Sequence, residues 1–345
     1  MAKKVKLGFV GAGRMGRLHM ANIVSSIPEA EVIAVSDPMM DKAGGREWCA
    51  AHGITNVFTE ADNVINNPDV DAVFVCTTTP LHCPTSLAAV KAGKHTFCEK
   101  PISYDVNEIK ELMKAIDAAG VKFMPGFNRR FDRNHKAVAD AVKNGSIGAP
   151  HIVTVSSRDP EPPTIDYVKV SGGLFYDMMI HDFDMVRYVT GSEAVEISAV
   201  GACLVNPKLQ EQSGIFDVDT AVVTMKMANG CIATINNSRQ AVYGYDQRVE
   251  AFGSKGVAQD GNELLNNASV MTVDGCRTER PLWFFLERYT QAFIDEARAF
   301  VSAVANDTPV PCNVIDGLMP VLMAKAATES CKAGGAFVSV VCEGV

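Results

Sequence analysis

The chain has 345 residues, 47% of them hydrophobic and 21% charged, with a formal net charge of −8. That length exceeds what one hydrophobic core usually fills, so two domains are expected. A negative chain without a run of Lys or Arg argues against nucleic acid or an anionic membrane as the main partner.

The start, Met1-Ala2-Lys3-Lys4-Val5-Lys6, is basic, but Leu7–Val10 is too short for the apolar core of a secretory signal. No stretch approaches the ~18 continuous apolar residues of a membrane-spanning helix. The ten cysteines (Cys49, Cys76, Cys83, Cys98, Cys203, Cys231, Cys276, Cys312, Cys331 and Cys342) form no C-x-x-C pair. Several sit in apolar runs, as in Val73-Phe74-Val75-Cys76, where cysteine acts as a small hydrophobe. Reduced thiols in a cytoplasmic protein are expected.

Residues 5 to 125 alternate β-like runs with helical ones. The runs are Val5–Val10, Glu31–Val35, Ala72–Cys76, His95–Cys98 and Val121–Met124. Between the last two, Val106–Ala119 carries Ile109, Leu112, Met113 and Ile116 on one helical stripe. Such alternation predicts a doubly wound parallel sheet, an α/β domain over residues 1–126.

Gly11-Ala12-Gly13-Arg14-Met15-Gly16 follows the first strand and opens a helix. Gly11 permits a tight turn, Gly13 lets the backbone approach a pyrophosphate, and Gly16 allows close helix–strand packing. The helix N-terminus adds unpaired N–H groups and a favourable dipole for the anion. In this context a dinucleotide site is expected, bordered by Arg14 and Met15. Asp37 ends the second run about 20 residues on, where a carboxylate meets ribose hydroxyls and repels a 2′-phosphate. That predicts NAD in preference to NADP, although Asp37 before Pro38 also suits a simple turn. The loops Cys76-Thr77-Thr78-Thr79-Pro80-Leu81-His82 and Cys98-Glu99-Lys100-Pro101 leave later strands of the same sheet. Ligands bind beyond such strand ends, so Thr77, Thr78, Pro80, His82, Glu99 and Lys100 are expected to border the cofactor.

After Pro125-Gly126 the pattern changes, and residues 127–345 are read as a second domain. A helix over Arg130–Lys143 leads to a strand at His151–Ser157, then a proline-rich loop, then a helix over residues 176–190. Strands follow from Val195 to about Val273, predicting an α+β domain with a large, mostly antiparallel open sheet. Asn229-Gly230 suits a type I′ hairpin turn. Helices over Trp283–Ala305 and Asp316–Ala333 close the chain, the first with Phe285, Tyr289, Phe293 and Phe300 on a core-like stripe. On the strand Thr220–Met227 neither face is strongly polar, so the outer face is expected in a subunit interface.

The segment Gly172–Asp182 holds a carboxylate, Asp177, and an imidazole, His181, four residues apart. On a helix these would share one face and could couple. The same spacing often marks a surface ion pair. A metal on Asp177, His181, Asp182 and Asp184 is not expected, because the four do not converge on one helix face.

The chain resembles the Gfo/Idh/MocA oxidoreductases, and most of all their inositol 2-dehydrogenases. The resemblance rests on Gly11–Gly16, Glu99-Lys100-Pro101, Gly126–Asp132, Gly172–Asp184 and the run from Leu286-Glu287-Arg288-Tyr289 through Asp316-Gly317-Leu318 to Ser330. It implies that Lys100, Asp177 and His181 form the catalytic set, with NAD as cofactor, no metal, and a homo-oligomer, tetramer or dimer. His181, an imidazole of unperturbed pKa about 6.5, would take the hydroxyl proton, and Asp177 would orient it. Lys100 would hold the reacting oxygen. It also implies that Lys100, Arg130, Asp177 and His181 meet the substrate, with Arg129 structural; Asp159, a departure from the family pattern, is expected to add a carboxylate acceptor there. Some bacterial inositol dehydrogenases carry His-Arg-Asn where this chain reads Ser157-Arg158-Asp159. The expected reaction is oxidation of myo-inositol to scyllo-inosose; another inositol isomer or a pyranose, or a non-catalytic NAD(H)-binding regulator, are the alternatives.

Overall fold

The computed structural model describes residues 4–42 and 44–341; the first three residues and Cys342 lie outside them. The chain forms two compact units, one running to Asn128 and taking in Gln291–Val321, the other made of Arg129–Thr290 and the chain from Leu322.

In the first unit six strands form one sheet: β1 (Val5–Val10), β2 (Ala30–Ser36), β3 (Asn56–Phe58), β4 (Ala72–Val75), β5 (His95–Glu99) and β6 (Phe123–Gly126). Their order is β3-β2-β1-β4-β5-β6 and every pairing is parallel. The three-residue β3 was too short to read from the sequence. All four residues of β4 are buried, as a strand with helices over both faces requires. The crossover helix Val106–Ala119 begins where Asp105 accepts the Asn107 N–H (2.8 Å) and ends at left-handed Gly120. Across the sheet Phe9, Phe74 and Phe97 stack at 4.8 and 4.6 Å, with Phe300 edge-on to Phe74 at 5.4 Å. Strand order reverses between β1 and β4, the place where such sheets open a ligand crevice.

The second unit contains β7 (Pro150–Arg158), β8 (Ala194–Ala202), β9 (Thr220–Met227), β10 (Ile232–Ser238), β11 (Asp246–Gly253), β12 (Gly256–Gln259), the separate hairpin of β13 (Ser269–Thr272) and β14 (Gly275–Thr278), and β15 (Val338–Ser339). Seven of these form a sheet ordered β12-β11-β7-β10-β9-β8-β15, in which only β7 and β10 run parallel. Its inner face is apolar and buried: Val153 and Val155, Ala233 and Ile235, Val223 and Met225, Ile197 and Ala199. Val138 of the helix Arg133–Lys143 and Phe183 and Val186 of the helix Ile180–Thr190 belong to the same core. On the outer face Phe252, Ile152 and Ile232 sit in register across three strands and are exposed. Val222 and Val200 form a second exposed pair on that face.

Four local expectations change. The β9–β10 connection is not type I′: only Gly230 has positive φ, and Gly230 N bonds Met227 O while Met227 N bonds Cys231 O. That is a three-residue loop with a left-handed glycine, which asks nothing unusual of Asn229. The helix expected from Arg130 starts at Arg133, because Asp132 accepts the N–H groups of Asn134 and His135 as its cap; Asn128–Phe131 is a 3-10 turn. The helix expected from Trp283 divides into Phe285–Arg288 and Thr290–Ala305.

The fourth change concerns residues 176–190. Helix Gly173–Asp177 ends at Asp177, and Ile180 opens the next. Met178 N and Met179 N both bond to Leu174 O, and Asp182 N reaches back only to Met179 O. Leu174, Phe175, Met178, Met179 and Ile180 are all buried, too broad an apolar arc for one helix face, so the chain turns between them.

Candidate functional site

In the first unit the glycines divide their tasks. Gly11 has φ +102°, and a Cβ there would lie 2.4 Å from the Cys76 carbonyl oxygen. A Cβ on Gly16 would lie 2.1 Å from the Gly11 carbonyl oxygen, so the first helical turn can seat on the loop only without a side chain. At Gly13 a Cβ would meet nothing within 4 Å. That open space, beside a helix Arg14–Ser26 with no side-chain cap, suits the approach of a pyrophosphate. Arg14 is exposed and Met15 half-buried at the same helix start. Asp37 ties this loop to the end of β2: Oδ2 accepts Ala12 N and Oδ1 accepts Met39 N, each at 2.7 Å. It therefore does turn work and faces the loop at once. The residues fit a dinucleotide.

The other two strand-end loops are joined by His82. Its buried ring faces two backbone oxygens, Pro101 O from Nδ1 (2.7 Å) and Thr77 O from Nε2 (3.0 Å). Burial pushes its pKa down, against the pull of those carbonyls, and a neutral ring donates to one of them at a time. Thr77 Oγ1 donates to Thr78 O, and Pro80 lies in the first turn of the helix Thr79–Lys91. Glu99 is buried and accepts from His19 Nε2 at 2.7 Å. Burial would raise the Glu99 pKa, but the His19 hydrogen bond and charge outweigh it and hold the carboxyl low. His19 was not foreseen: an isolated imidazole inside a helix gives no sequence signal. Lys100 is half-buried, and its peptide bond to Pro101 is cis.

In the second unit Gly172 and Gly173 have φ +81° and +82°, which only glycine adopts readily. A Cβ on Gly173 would strike Asp217 Oδ1 at 2.6 Å. That oxygen accepts Leu174 N (2.7 Å) and so pins the start of the short helix that ends at Asp177. Burial raises the Asp217 pKa in spite of those N–H groups. Asp177 accepts from Tyr167 Oη at Oδ1 (2.9 Å), and its Oδ2 lies 3.4 and 3.5 Å from the two terminal nitrogens of Arg239. The single helix expected to carry both Asp177 and His181 is divided: Asp177 ends one helix and His181 lies in the first turn of the next.

Asp159 follows β7 as Arg239 follows β10, and the parallel register sets them side by side. Asp159 N donates to Ser238 O (3.0 Å), and Asp159 O accepts from Ala241 N (2.7 Å). Burial pushes the Asp159 carboxyl up to about 6, with Asp177 and Asp182 adding to the rise and Arg239 and Arg129 opposing it.

Arg130, expected at the substrate, and Arg129, expected to be structural, are both committed to carboxylates of the helix Ile180–Thr190. Arg129 pairs with Asp182, which also accepts from Asn237 Nδ2 at 3.0 Å. Burial nevertheless leaves the Asp182 pKa raised. Arg130 forks onto Asp184, Nε at 2.8 and Nη2 at 2.6 Å, beside the Tyr188 ring. The expected reach of Arg130 to a polyol thus starts from a guanidinium only 9% exposed and held on two nitrogens.

Among the described residues one group has metal-like spacing, Asp132, His135 and Asp260, with ligand atoms within 4.8 Å of one another. It is already neutralised by the chain. Arg288 donates to both oxygens of Asp132, and His135 bonds Asp260. Burial would raise the Asp132 pKa, but Arg288 and His135 hold it below the usual range. Among the described residues no helix is long and apolar enough to cross a membrane.

Residues 5–127 match the oxidoreductase family with an NAD-binding Rossmann fold, and residues 135–259 match the Gfo/Idh/MocA C-terminal domain. An oxidoreductase of Bacillus subtilis, YrbE, is 45% identical over 96% of this chain and 95% of its own. The myo-inositol 2-dehydrogenase of Thermotoga maritima is 41% identical over 94% and 96%. The crystal structure of scyllo-inositol dehydrogenase from Lactobacillus casei, with bound NAD(H) and scyllo-inositol, superposes with a TM-score of 0.89 at 32% identity, covering 98% of this chain and 99% of that one. With a doubly wound first unit, a glycine loop shaped for a pyrophosphate and matches along both units, the chain belongs to the Gfo/Idh/MocA family of NAD-binding oxidoreductases.

Proposed function

We propose that the protein oxidises a ring hydroxyl of myo-inositol to the 2-keto compound, scyllo-inosose, with NAD preferred over NADP. The observation that carries this reading is Asp177, a carboxylate held on both oxygens at the end of a helix pinned by Gly172-Gly173 and Asp217, four residues before His181. The names of the T. maritima and L. casei relatives support the substrate class. Bound NAD supplies the acceptor for the hydride that leaves the substrate carbon. His181 accepts the hydroxyl proton, and Asp177 orients the ring and stabilises the imidazolium. Lys100 stabilises negative charge on the oxygen before the carbonyl forms. Gly11, Gly13 and Gly16, with Arg14, Met15 and Asp37, hold the dinucleotide; Thr77, Thr78, Pro80, His82 and Glu99 shape the loops around it. In this reading residues 1–126 serve the cofactor, and residues 127–345 serve substrate and assembly.

The test is NADH formation with a panel of inositols and aldoses, for wild type and His181→Ala. No NADH from any polyol removes the reading and leaves an NAD(H)-binding regulator. A second reading is favoured by Asp159: a carboxyl that titrates near 6 beside Arg239 can accept or donate to a ring hydroxyl, selecting another inositol isomer or a pyranose. Faster turnover of such a substrate would establish it.

The exposed row Phe252–Ile152–Ile232 with Val222 and Val200 supports a homo-oligomer, a tetramer, covering this sheet face with second copies of the chain. The nine described cysteines are all free, which supports a reducing, cytoplasmic setting.

A further inference from the structure

We propose that Arg239 is a positioning residue for the reaction, its buried guanidinium aiming the Asp177 carboxylate that orients the base. The proposal rests on the reading of Asp177 and His181 given above.

Arg239 is 2% exposed, with both terminal nitrogens within 3.5 Å of Asp177 Oδ2. Its backbone is fixed as well, Arg239 N donating to Asp219 O at 2.8 Å. Asp219 is itself immobilised, accepting the N–H groups of Leu204, Val205 and Asn206. The guanidinium is thus fastened to the rigid end of β10, while Asp177 sits at the end of a five-residue helix. A planar fork on a rigid strand fixes the direction of a carboxylate better than a mobile ammonium can. Tyr167 holds the other oxygen, from the helix Ile165–Ser171.

The surroundings explain why a cation is placed here. Asp177, Asp159 and Asp217 all interact with one another or with Arg239, and Asp182 lies near Asp159 beside Arg129. Without Arg239 the carboxylates from four separate elements would face each other in a poorly solvated space. Arg239 Nε is buried without a hydrogen-bond partner among the described residues.

The titratable groups around Arg239 are Asp177, Tyr167, Asp159, Asp217 and Asp182, with His181 on the adjoining helix, and its charge opposes proton uptake by Asp159 and Asp217. Removing it moves the acid limb of the kcat/KM profile to higher pH. The experiment compares wild type, Arg239→Gln, Arg239→Lys and Asp177→Asn in inositol oxidation, with melting temperature and KM for NAD measured for each. Arg239→Gln is expected to lose on the order of 100-fold in kcat and to shift the acid limb by on the order of one pH unit. Arg239→Lys keeps the charge and loses the fork, so its limb stays in place while kcat falls about tenfold. Activity loss in Arg239→Gln with an unmoved limb overturns the proposal, since poor folding lowers active enzyme without moving a pH profile. If Arg239→Gln does not fold, wild-type kcat in Arg239→Lys overturns it. Full turnover by Asp177→Asn removes the underlying reading, and the proposal with it; impaired Asp177→Asn beside unimpaired Arg239 variants removes the proposal alone.

Discussion

Replacing Asp159 with Asn should make the protein more stable above pH 6 and less able to hold its substrate. The Asp159 carboxyl is pushed from 3.8 to about 6, chiefly by burial. In the unfolded chain it ionises near 3.8, while the folded chain keeps its proton to about 6. Between these values the unfolded state binds fewer protons, so stability falls as pH rises, and above 6 the whole penalty is present. A pKa displaced by one is worth about 1.4 kcal/mol, so a rise of about two corresponds to ~3 kcal/mol. The residue is partly exposed, and solvent screening reduces this to roughly 1–3 kcal/mol. Asn has the same shape and carries no charge, so it should recover that amount at pH 8. For a unit of this size the gain is roughly 2–4 °C in Tm per kcal/mol. The assay is the Tm of Asp159→Asn minus that of wild type across pH. The difference should grow from pH 4 to 6 and stay flat from 7 to 8. A difference independent of pH, or a destabilised variant at pH 8, would refute the argument. KM for inositol should rise in the same variant while KM for NAD does not, the expected trade of stability for a functional group.

Gly16→Ala places a methyl 2.1 Å from the Gly11 carbonyl oxygen, so the loop must shift by about 1 Å and the Kd for NAD should rise on the order of 100-fold; isothermal titration with NAD reads this directly. Arg130→Met removes the forked partner of the buried Asp184, leaving it Arg187 at 3.9 Å, and should cost ~3 kcal/mol in denaturant unfolding, with most of it regained in Arg130→Met/Asp184→Leu. If the single variant is as stable as wild type, the Arg130–Asp184 pair is not what holds the 3-10 turn to the helix above the sheet. Val222→Glu together with Ile232→Glu should lower the mass by light scattering from oligomer to monomer; an unchanged mass places the interface elsewhere.

The legible parts of this fold are those where local chemistry dictates conformation. The strand Ala72–Val75 is apolar throughout because both of its faces are covered. Gly11 and Gly16 could be read because each answers a separate steric demand within the loop. What escaped reading was set by long-range partners. Arg129 and Arg130 are adjacent and chemically alike, and nothing local reveals that Asp182 and Asp184 lie opposite them. Arg239 lies 62 residues from the Asp177 it meets, a distance no short motif spans. One weak signal was present: a lone arginine at the end of the polar run Asn236-Asn237-Ser238, where a strand is leaving the sheet.

The break at Met178-Met179 changes what the Asp-x-x-x-His spacing means. On a continuous helix that spacing would stack the two side chains, and geometry would depend on helix rotation alone. Here the two residues belong to different helices, so each is aimed by its own support. Asp177 is aimed by Asp217 through Leu174 N, by Tyr167 and by Arg239. His181 is aimed by a helix whose neighbouring carboxylates, Asp182 and Asp184, are anchored on Arg129 and Arg130. Arg130, which the sequence suggested for substrate, and Arg129, which it suggested as structural, therefore both fix the helix that carries the imidazole. Independent supports can be adjusted separately, which a single helix face does not allow. In the proposed reaction, the proton acceptor and the group that orients it then keep their chemistry while substitutions at Asp159 are expected to alter which polyol is accepted.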